Sequence, residues 1–222
     1  MLDHFIYILE GVPLSLGLTI ASLILGFILA LFLTGVLTLW GNQWPAKIAR
    51  GFIIFFTGTP LLVQIFLLYT GPGQFDFIRH SFLWEPFFSQ AWFCAILALS
   101  LNSAAYTAQL FHGAVKNLSK NQWEACLALG MNRFEAMKIL IPLALRRALP
   151  SYSNEIVLIF KSTSLVQGIT LLDIMGRARE LTGQTYDSIT YYAMAGVIYL
   201  GVNIILILIA KAMEKRALAF EN

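Results

Sequence analysis

The chain has 222 residues, of which 58% are hydrophobic and 12% are charged, and its formal net charge is +3. A soluble domain usually carries about 25% charged residues, so this chain has too few charges to cover a water-facing surface. The composition therefore excludes an ordinary soluble domain and predicts a protein embedded in a lipid bilayer, and the small net charge does not indicate a nucleic-acid partner.

The chain begins with a long apolar segment that we predict as the first transmembrane span, at residues 13–39. A helix needs about 20 apolar residues to cross a bilayer. A cleaved signal peptide starts with positive charge and has a shorter apolar core, whereas this start carries Asp3 and Glu10. The second span is predicted at residues 51–69, where it is closed by the turn Gly71-Pro72-Gly73.

Three further spans are predicted at residues 91–111, 152–172 and 189–211. Together with the first two they make an all-α membrane protein with five transmembrane helices. The third and fourth spans are separated by residues 113–147, and residues 213–222 form a short tail after the fifth span.

The Lys and Arg residues between the spans predict the orientation, because cytoplasmic segments carry an excess of these residues. With the N-terminus outside, the outer segments hold only Arg79, Arg177 and Arg179. The inner segments then hold the larger set, which is Lys47, Arg50, Lys116, Lys120, Arg133, Lys138, Arg146, Arg147, Lys211, Lys215 and Arg216. We therefore predict an external N-terminus, a cytoplasmic loop at 113–147 and a cytoplasmic tail at 213–222.

The cytoplasmic loop at 113–147 has the sequence signals of two short helices joined by a turn. Ser119-Lys120-Asn121-Gln122 fits a capping box that starts a helix, and Asn132-Arg133-Phe134-Glu135 fits a second one. Gly130 suits the left-handed position that ends a helix, and Pro142 is expected to bend or end the second helix. Such a hairpin either lies on lipid headgroups or provides a docking surface for a cytoplasmic partner, and the loop alone leaves both open.

Polar side chains within spans two, three and four form a candidate substrate path, because polar groups in a span are costly and often mark pathways. The candidates are Thr57, Thr59, Gln64, Asn102, Ser103, Tyr106, Asn154, Glu155, Lys161 and Ser162. Pro60 lies within span two and should free a backbone carbonyl for another donor. Packing between helices is the alternative role for the small and hydroxyl-bearing members of this set.

Two charged residues lie in span four. Glu155 and Lys161 are six residues apart, so they point in different directions and do not pair within one helix. Each needs another helix, water or a solute as its partner. For Glu155 the alternative to a path role is a structural tie to another helix, and for Lys161 it is a contact with backbone carbonyls or the membrane interface.

The sequence offers no enzyme chemistry. It contains no phosphate-binding loop, so ATP must be bound by another protein, and His4, His80 and His112 are too scattered to hold a metal. The chain is therefore predicted to contain no cofactor and no metal. A gradient-driven carrier that works alone is one alternative to a subunit driven by a partner, but matched inverted repeats are not visible. A membrane scaffold is another, and the intramembrane charges argue against it.

The cytoplasmic loop also carries a family resemblance. Glu124-Ala125-Cys126, Gly130 and Leu140-Ile141-Pro142 resemble the EAA motif of ABC importer permeases. In that motif E-A-A is followed by a glycine and later by a hydrophobic residue and a proline. Cys126 replaces the second alanine here, and the glycine-to-proline spacing is one residue shorter than usual.

Other segments resemble the polar amino-acid importer permeases, the histidine, glutamine and arginine group. The similar segments are Gly58–Gln64, Asn102–Tyr106 and Asn154–Leu165, and the resemblance extends over residues 11–212. Gly71–Phe75 and Ala217–Glu221 are similar to the arginine-transporting members in particular.

This resemblance implies a permease of the type I ABC importer fold in the bacterial inner membrane. Its implied partners are a second homologous permease subunit, a cytoplasmic ABC ATPase dimer that binds the ATP, and a periplasmic amino-acid-binding protein. The implied substrate is a polar amino acid, with arginine first and histidine, lysine, ornithine or glutamine as alternatives. By the same resemblance, Glu124, Ala125, Gly130 and Pro142 are expected to couple the permease to the ATPase.

Overall fold

A computed structural model describes residues 1–118 and 120–218, and the regular elements of these residues are all helical. The α-helices are α1 (Leu2–Leu9), α2 (Val12–Trp40), α3 (Trp44–Gly58), α4 (Leu61–Thr70), α5 (Asp76–Arg79), α6 (Ala91–Lys116), α7 (Lys120–Ala128), α8 (Arg133–Ser162), α9 (Ile174–Thr185) and α10 (Ser188–Leu218). A 3-10 helix at Thr163–Ile169 joins α8 to α9. The predicted capping box at Ser119 and the tail segment at residues 219–222 lie outside the described residues.

Three of the described segments are long and apolar enough to cross a membrane as single helices. They are Leu2–Trp40, Ala91–Lys116 and Ser188–Lys215. Two further pairs of helices are long and apolar enough only when each pair is counted as one bent span. One pair is α3 with α4, bent by 104°, and the other is the α8 segment with α9, bent by 44°. The all-α membrane prediction is therefore confirmed, with three spans or up to five if each bent pair is one span.

The second predicted span is not one continuous helix. The span predicted at residues 51–69 corresponds to parts of two helices, because α3 ends at Gly58 and α4 starts at Leu61. Thr59 and Pro60 between them are extended, with ψ of 146° and 132°. Proline has no N–H to donate and its ring clashes with the preceding turn, which accounts for a break at this point.

The helix after the cytoplasmic loop is longer than predicted. Pro142 does not end it, because α8 continues through Pro142 and Pro150 to Ser162. Leu140 and Ala144 flank Pro142 and are only 2% and 0% exposed, in one apolar cluster with residues of α6 and α7. This packing holds the segment helical despite the lost hydrogen bond.

Small residues allow α2 and α6 to pack closely. Ser22, Gly26 and Ala30 repeat every four residues on the buried face of α2. A Cβ atom added at Gly26 would lie 3.1 Å from the backbone oxygen of Ser100 and 3.2 Å from the Cβ of Ser103. Small residues at this spacing are typical of membrane helices whose backbones approach each other. This contact fixes the position of α6, which carries part of the site described below.

The N-terminal helix is tied to α9 at the opposite end of the molecule from the α7–α8 turn. Arg177 forms an ion pair with Glu10 at 3.0 Å and lies over the Tyr7 ring at 4.6 Å. Asp173 caps α9 by accepting from the Gly176 N–H at 2.8 Å, and it accepts from the Tyr199 hydroxyl at 3.0 Å. These contacts join α1, α9 and α10 at one end of the helix bundle.

Candidate functional site

A polar cavity lies where the α3–α4 break faces α6 and α8. Its volume is about 540 Å³. The residues that line it are Thr57, Gly58, Thr59, Pro60, Leu61, Asn102, Tyr106, Glu155, Leu158, Ile159 and Ser162. The sequence prediction that spans two, three and four present polar groups to a common interior agrees with this arrangement.

The break between α3 and α4 is held by a buried network of two amide side chains. The Phe56 carbonyl lies four residues before Pro60, which cannot donate to it. This carbonyl instead accepts from Gln64 Nε2 at 2.9 Å and from Asn102 Nδ2 at 3.1 Å. Gln64 Nε2 also lies 3.0 Å from the Thr59 carbonyl oxygen and 2.8 Å from its hydroxyl, so its two N–H groups are shared among three acceptors. Asn102 Nδ2 donates in turn to Gln64 Oε1 at 3.1 Å, so α6 fixes the shape of the break.

The opening of the cavity is polar and partly exposed. The Tyr106 hydroxyl donates to the Thr57 carbonyl at 3.3 Å, and the Thr57 hydroxyl donates to the Ile53 carbonyl at 2.7 Å. Tyr106 is 45% exposed and Leu158 is 55% exposed, although both line the cavity. This chain alone therefore leaves the cavity open on one side.

Glu155 is the acidic residue of the cavity lining. It is 9% exposed, and no cation among the described residues makes an ion pair with it. Ser103 of α6 lies beside the carboxyl group without completing a hydrogen bond, since its buried hydroxyl has no partner among the described residues. A carboxylate in such a position favours a cationic or strongly hydrogen-bonding group in the cavity.

Four of the predicted path residues do not line this cavity. Gln64 and Ser103 are buried behind it, at 3% and 1% exposure, whereas Asn154 and Lys161 are exposed on the outside of α8. Thr57 and Gln64 lie on different helices, α3 and α4, because the break at Thr59 and Pro60 separates them. Leu158 and Ile159 also line the cavity, and their apolar side chains give no signal in the sequence.

The second candidate site is the α7–α8 hairpin, which comprises α7, the turn at Gly130 and the start of α8. Gly130 has a φ of +78°, as its predicted left-handed position requires. The predicted capping box is present, because Glu135 N–H donates to Asn132 Oδ1 at 3.0 Å and Asn132 N–H donates to Glu135 Oε2 at 2.8 Å. The hairpin is therefore a defined structure.

The outer face of the α7–α8 hairpin combines polar and apolar groups. Glu124 and Ala125 are exposed, and Leu127 and Leu129 are 55% and 76% exposed. Cys126 is only 7% exposed and packs in the cluster that joins α7 to α8. Exposed leucines beside charged residues are typical of a surface that another protein covers. Pro142, the remaining coupling candidate, lies exposed within α8 and outside the turn.

A group of side chains able to hold a metal is not found among the described residues. The polar side chains of the cavity lining provide one amide, four hydroxyls and one carboxylate, which suit the binding of an organic solute.

Comparison with known proteins identifies relatives over nearly the whole chain. Residues 22–218 match the family described as "Binding-protein-dependent transport system inner membrane component". The arginine ABC transporter permease protein ArtM of Haemophilus influenzae is 56% identical over 99% of this chain and 96% of its own length. ArtM of Escherichia coli K12 is 50% identical over 100% of this chain and 99% of its own. The octopine transport system permease protein OccM of Rhizobium radiobacter is 45% identical over 90% of this chain and 82% of its own.

Solved structures show the same fold. A crystal structure described as an amino acid ABC transporter with histidines has a TM-score of 0.83 and 26% identity, covering 97% of this chain and 96% of the other. The MetNI methionine ABC transporter in an inward-facing conformation has a TM-score of 0.77 at 15% identity, covering 95% and 96%, and supports the fold alone.

Proposed function

The chain belongs to the binding-protein-dependent transport system inner membrane components and is a permease subunit of an ABC amino-acid importer, and we propose that the amino acid is L-arginine. The observation that carries this proposal is the similarity to arginine permeases along almost the full length of both chains. Histidine, lysine, ornithine and glutamine are the alternatives that the experiment below must separate from arginine.

The cavity supports a cationic substrate. The Glu155 carboxyl is buried in the lining and has no ion-pair partner among the described residues. A guanidinium group carries five N–H donors in a planar fork and pairs well with carboxylates and amide or hydroxyl oxygens. Tyr106 and Ser162 add hydroxyl groups around the same space. Glu155 would therefore attract the arginine side chain, and the hydroxyl groups would orient it during passage.

The open side of the cavity supports a second homologous permease subunit as a partner. Tyr106 and Leu158 are both exposed at the cavity edge, and Lys161 is exposed nearby on α8. Lipid contact with polar groups at membrane depth is costly, so this face requires a protein neighbour. The second subunit would close the path opposite Glu155. The bias of Lys and Arg supports an external N-terminus in the bacterial inner membrane.

Energy enters this importer from a cytoplasmic ATPase dimer, and a periplasmic binding protein delivers the amino acid. The α7–α8 hairpin is the proposed ATPase contact, with Glu124 and Ala125 on its exposed face. One helix, α8, connects this hairpin to Glu155 and Ser162 without a break. Its 30 residues correspond to about 45 Å at 1.5 Å per residue. Movement of the hairpin with the ATPase would therefore reposition the wall of the cavity directly.

Transport of labelled amino acids by cells tests the substrate. In a strain that lacks its own arginine, histidine and lysine importers, expression of this chain with its partner subunits should restore uptake of labelled arginine. Unlabelled arginine should compete best among arginine, histidine, lysine, ornithine and glutamine. Restored uptake of another amino acid with no competition by arginine would contradict the assignment.

A further inference from the structure

A second polar cavity, at the other end of α3 from the break, is lined by basic side chains. Its volume is about 380 Å³. It lies between three parts of the chain, which are the α2–α3 turn, the C-terminal turns of α6, and helix α7. Arg50, His112 and Lys116 line it, together with Asn42 and Trp123, and none of its lining residues is acidic. This arrangement is unlike the first cavity, which contains Glu155.

Local structural roles account for only part of this basic cluster. Arg50 donates to the Gly41 carbonyl at 2.7 Å and to Asn42 Oδ1 at 3.0 Å, which uses two of its five N–H groups and caps the end of α2. Lys116 is in the last turn of α6, where a positive charge is favoured. Its ammonium group makes no hydrogen bond among the described residues. The remaining donors of both side chains are therefore available to a ligand.

His112 gives a second, independent indication. It lies four residues before Lys116 on the same face of α6 and lines the same cavity. Its Nδ1 atom is buried and has no hydrogen-bond partner among the described residues. A buried ring nitrogen without a partner is costly, and no hydrogen bond within the described residues competes with a ligand for the His112 ring.

The position of the cavity indicates the kind of ligand. Trp40 and Trp44 lie on either side of the α2–α3 turn and are 41% and 73% exposed, and tryptophan is enriched at the level of lipid headgroups. Ile54 lies four residues after Arg50 on the same face of α3, one helical turn further from the α2–α3 turn, and is 70% exposed. The surface therefore changes from basic to apolar over one helical turn, as a phospholipid does from headgroup to acyl chain.

We propose that Arg50, His112 and Lys116 bind the phosphate group of an anionic phospholipid. The proposed topology places this lipid in the cytoplasmic leaflet, but its binding depends only on the cavity. Because Trp123 belongs to α7, the bound headgroup would also contact the α7–α8 hairpin. The cavity would thus link the charge of the membrane surface to the hairpin.

Native mass spectrometry of the intact importer complex with phosphatidylglycerol or phosphatidylethanolamine tests this site. The Lys116→Gln and His112→Gln variants should each weaken phosphatidylglycerol retention by about tenfold, the usual effect of losing a charged hydrogen bond. The matched control is Lys211→Gln, which removes the same charge from an exposed position on α10 that does not line the cavity. This control should retain the lipid as the wild type does.

Three results would overturn the proposal. The first is equal retention of the two lipids by the wild type. The second is an equal loss in Lys116→Gln and Lys211→Gln, which indicates diffuse attraction to the surface. The third is a wild-type complex that retains inorganic phosphate but no phosphatidylglycerol, which assigns the cavity to the free ion. The melting temperature of each complex shows whether a variant has folded, and the two cavity variants provide independent tests.

Discussion

Replacement of Gln64 by leucine tests how the α3–α4 break is held. The two N–H groups of Gln64 Nε2 are shared among three acceptors on Phe56 and Thr59, and Gln64 Oε1 accepts from Asn102. Leucine has a similar volume but makes none of these bonds. It leaves Asn102 as the only described side-chain donor to the Phe56 carbonyl. The variant should therefore lose the fixed bend while keeping its apolar packing.

The expected cost follows from the number of bonds lost. Hydrogen bonds between membrane helices contribute about 0.6 kcal/mol each on average, so the three bonds that the Gln64 side chain can make at once correspond to about 2 kcal/mol. In a chain of this length, that free energy lowers the melting temperature by about 4–8 °C. Because Thr57 and Thr59 lie at the break and line the cavity, uptake should fall as well.

Thermal unfolding of the purified complex in detergent, followed by uptake in cells, measures both effects. The matched control is Gln74→Leu, which makes the same change at an exposed position outside the cavity. Its melting temperature and uptake should match those of the wild type. An unchanged melting temperature and full uptake in Gln64→Leu would refute the role assigned to this network.

Three further predictions concern the path, the orientation and the coupling to ATP. Glu155→Gln should raise the KM for arginine uptake roughly tenfold or more, since a charged hydrogen bond contributes about 1.5–3 kcal/mol, whereas the control Glu214→Gln, outside the cavity, should transport normally. Normal uptake by Glu155→Gln at low arginine would exclude a path role, and loss of complex assembly would indicate a structural role. A reporter fused after residue 222 should be active only in the cytoplasm, and periplasmic activity would reverse the orientation. Gly130→Pro and Glu124→Lys should weaken the association of the ATPase, or the stimulation of ATP hydrolysis by the loaded binding protein, while the affinity of the binding protein for arginine is unchanged. If the ATPase co-purifies normally with both variants and stimulation and uptake are also normal, the α7–α8 hairpin is excluded as the coupling element.

The sequence was informative where a local signal decides the structure. Asn132 and Glu135 form their capping box, and Gly130 takes the left-handed conformation, because these features depend on residues a few positions apart. Glu155 was likewise identifiable, since a charge within a span is rare and costly. Its position in a cavity lining, however, required the packing of three helices.

The sequence misled where distant contacts decide the structure. Pro142 is a helix-breaking signal, yet Leu140 and Ala144 are buried in a cluster that keeps α8 continuous. The sequence predicts Gln64 on the path, but Asn102, 38 residues later in the chain, holds it behind the cavity wall. Neither outcome follows from periodicity, because each depends on which helix lies opposite.

Transport in a reconstituted system tests the central claim most directly. Proteoliposomes that contain this chain, its homologous permease partner and the ATPase dimer should accumulate labelled arginine when supplied with internal ATP and the external binding protein. Omission of this chain, of ATP or of the binding protein should each reduce accumulation to the level of empty vesicles. Accumulation of arginine without ATP, or ATP-driven accumulation of a different amino acid while arginine is excluded, would contradict the function proposed here.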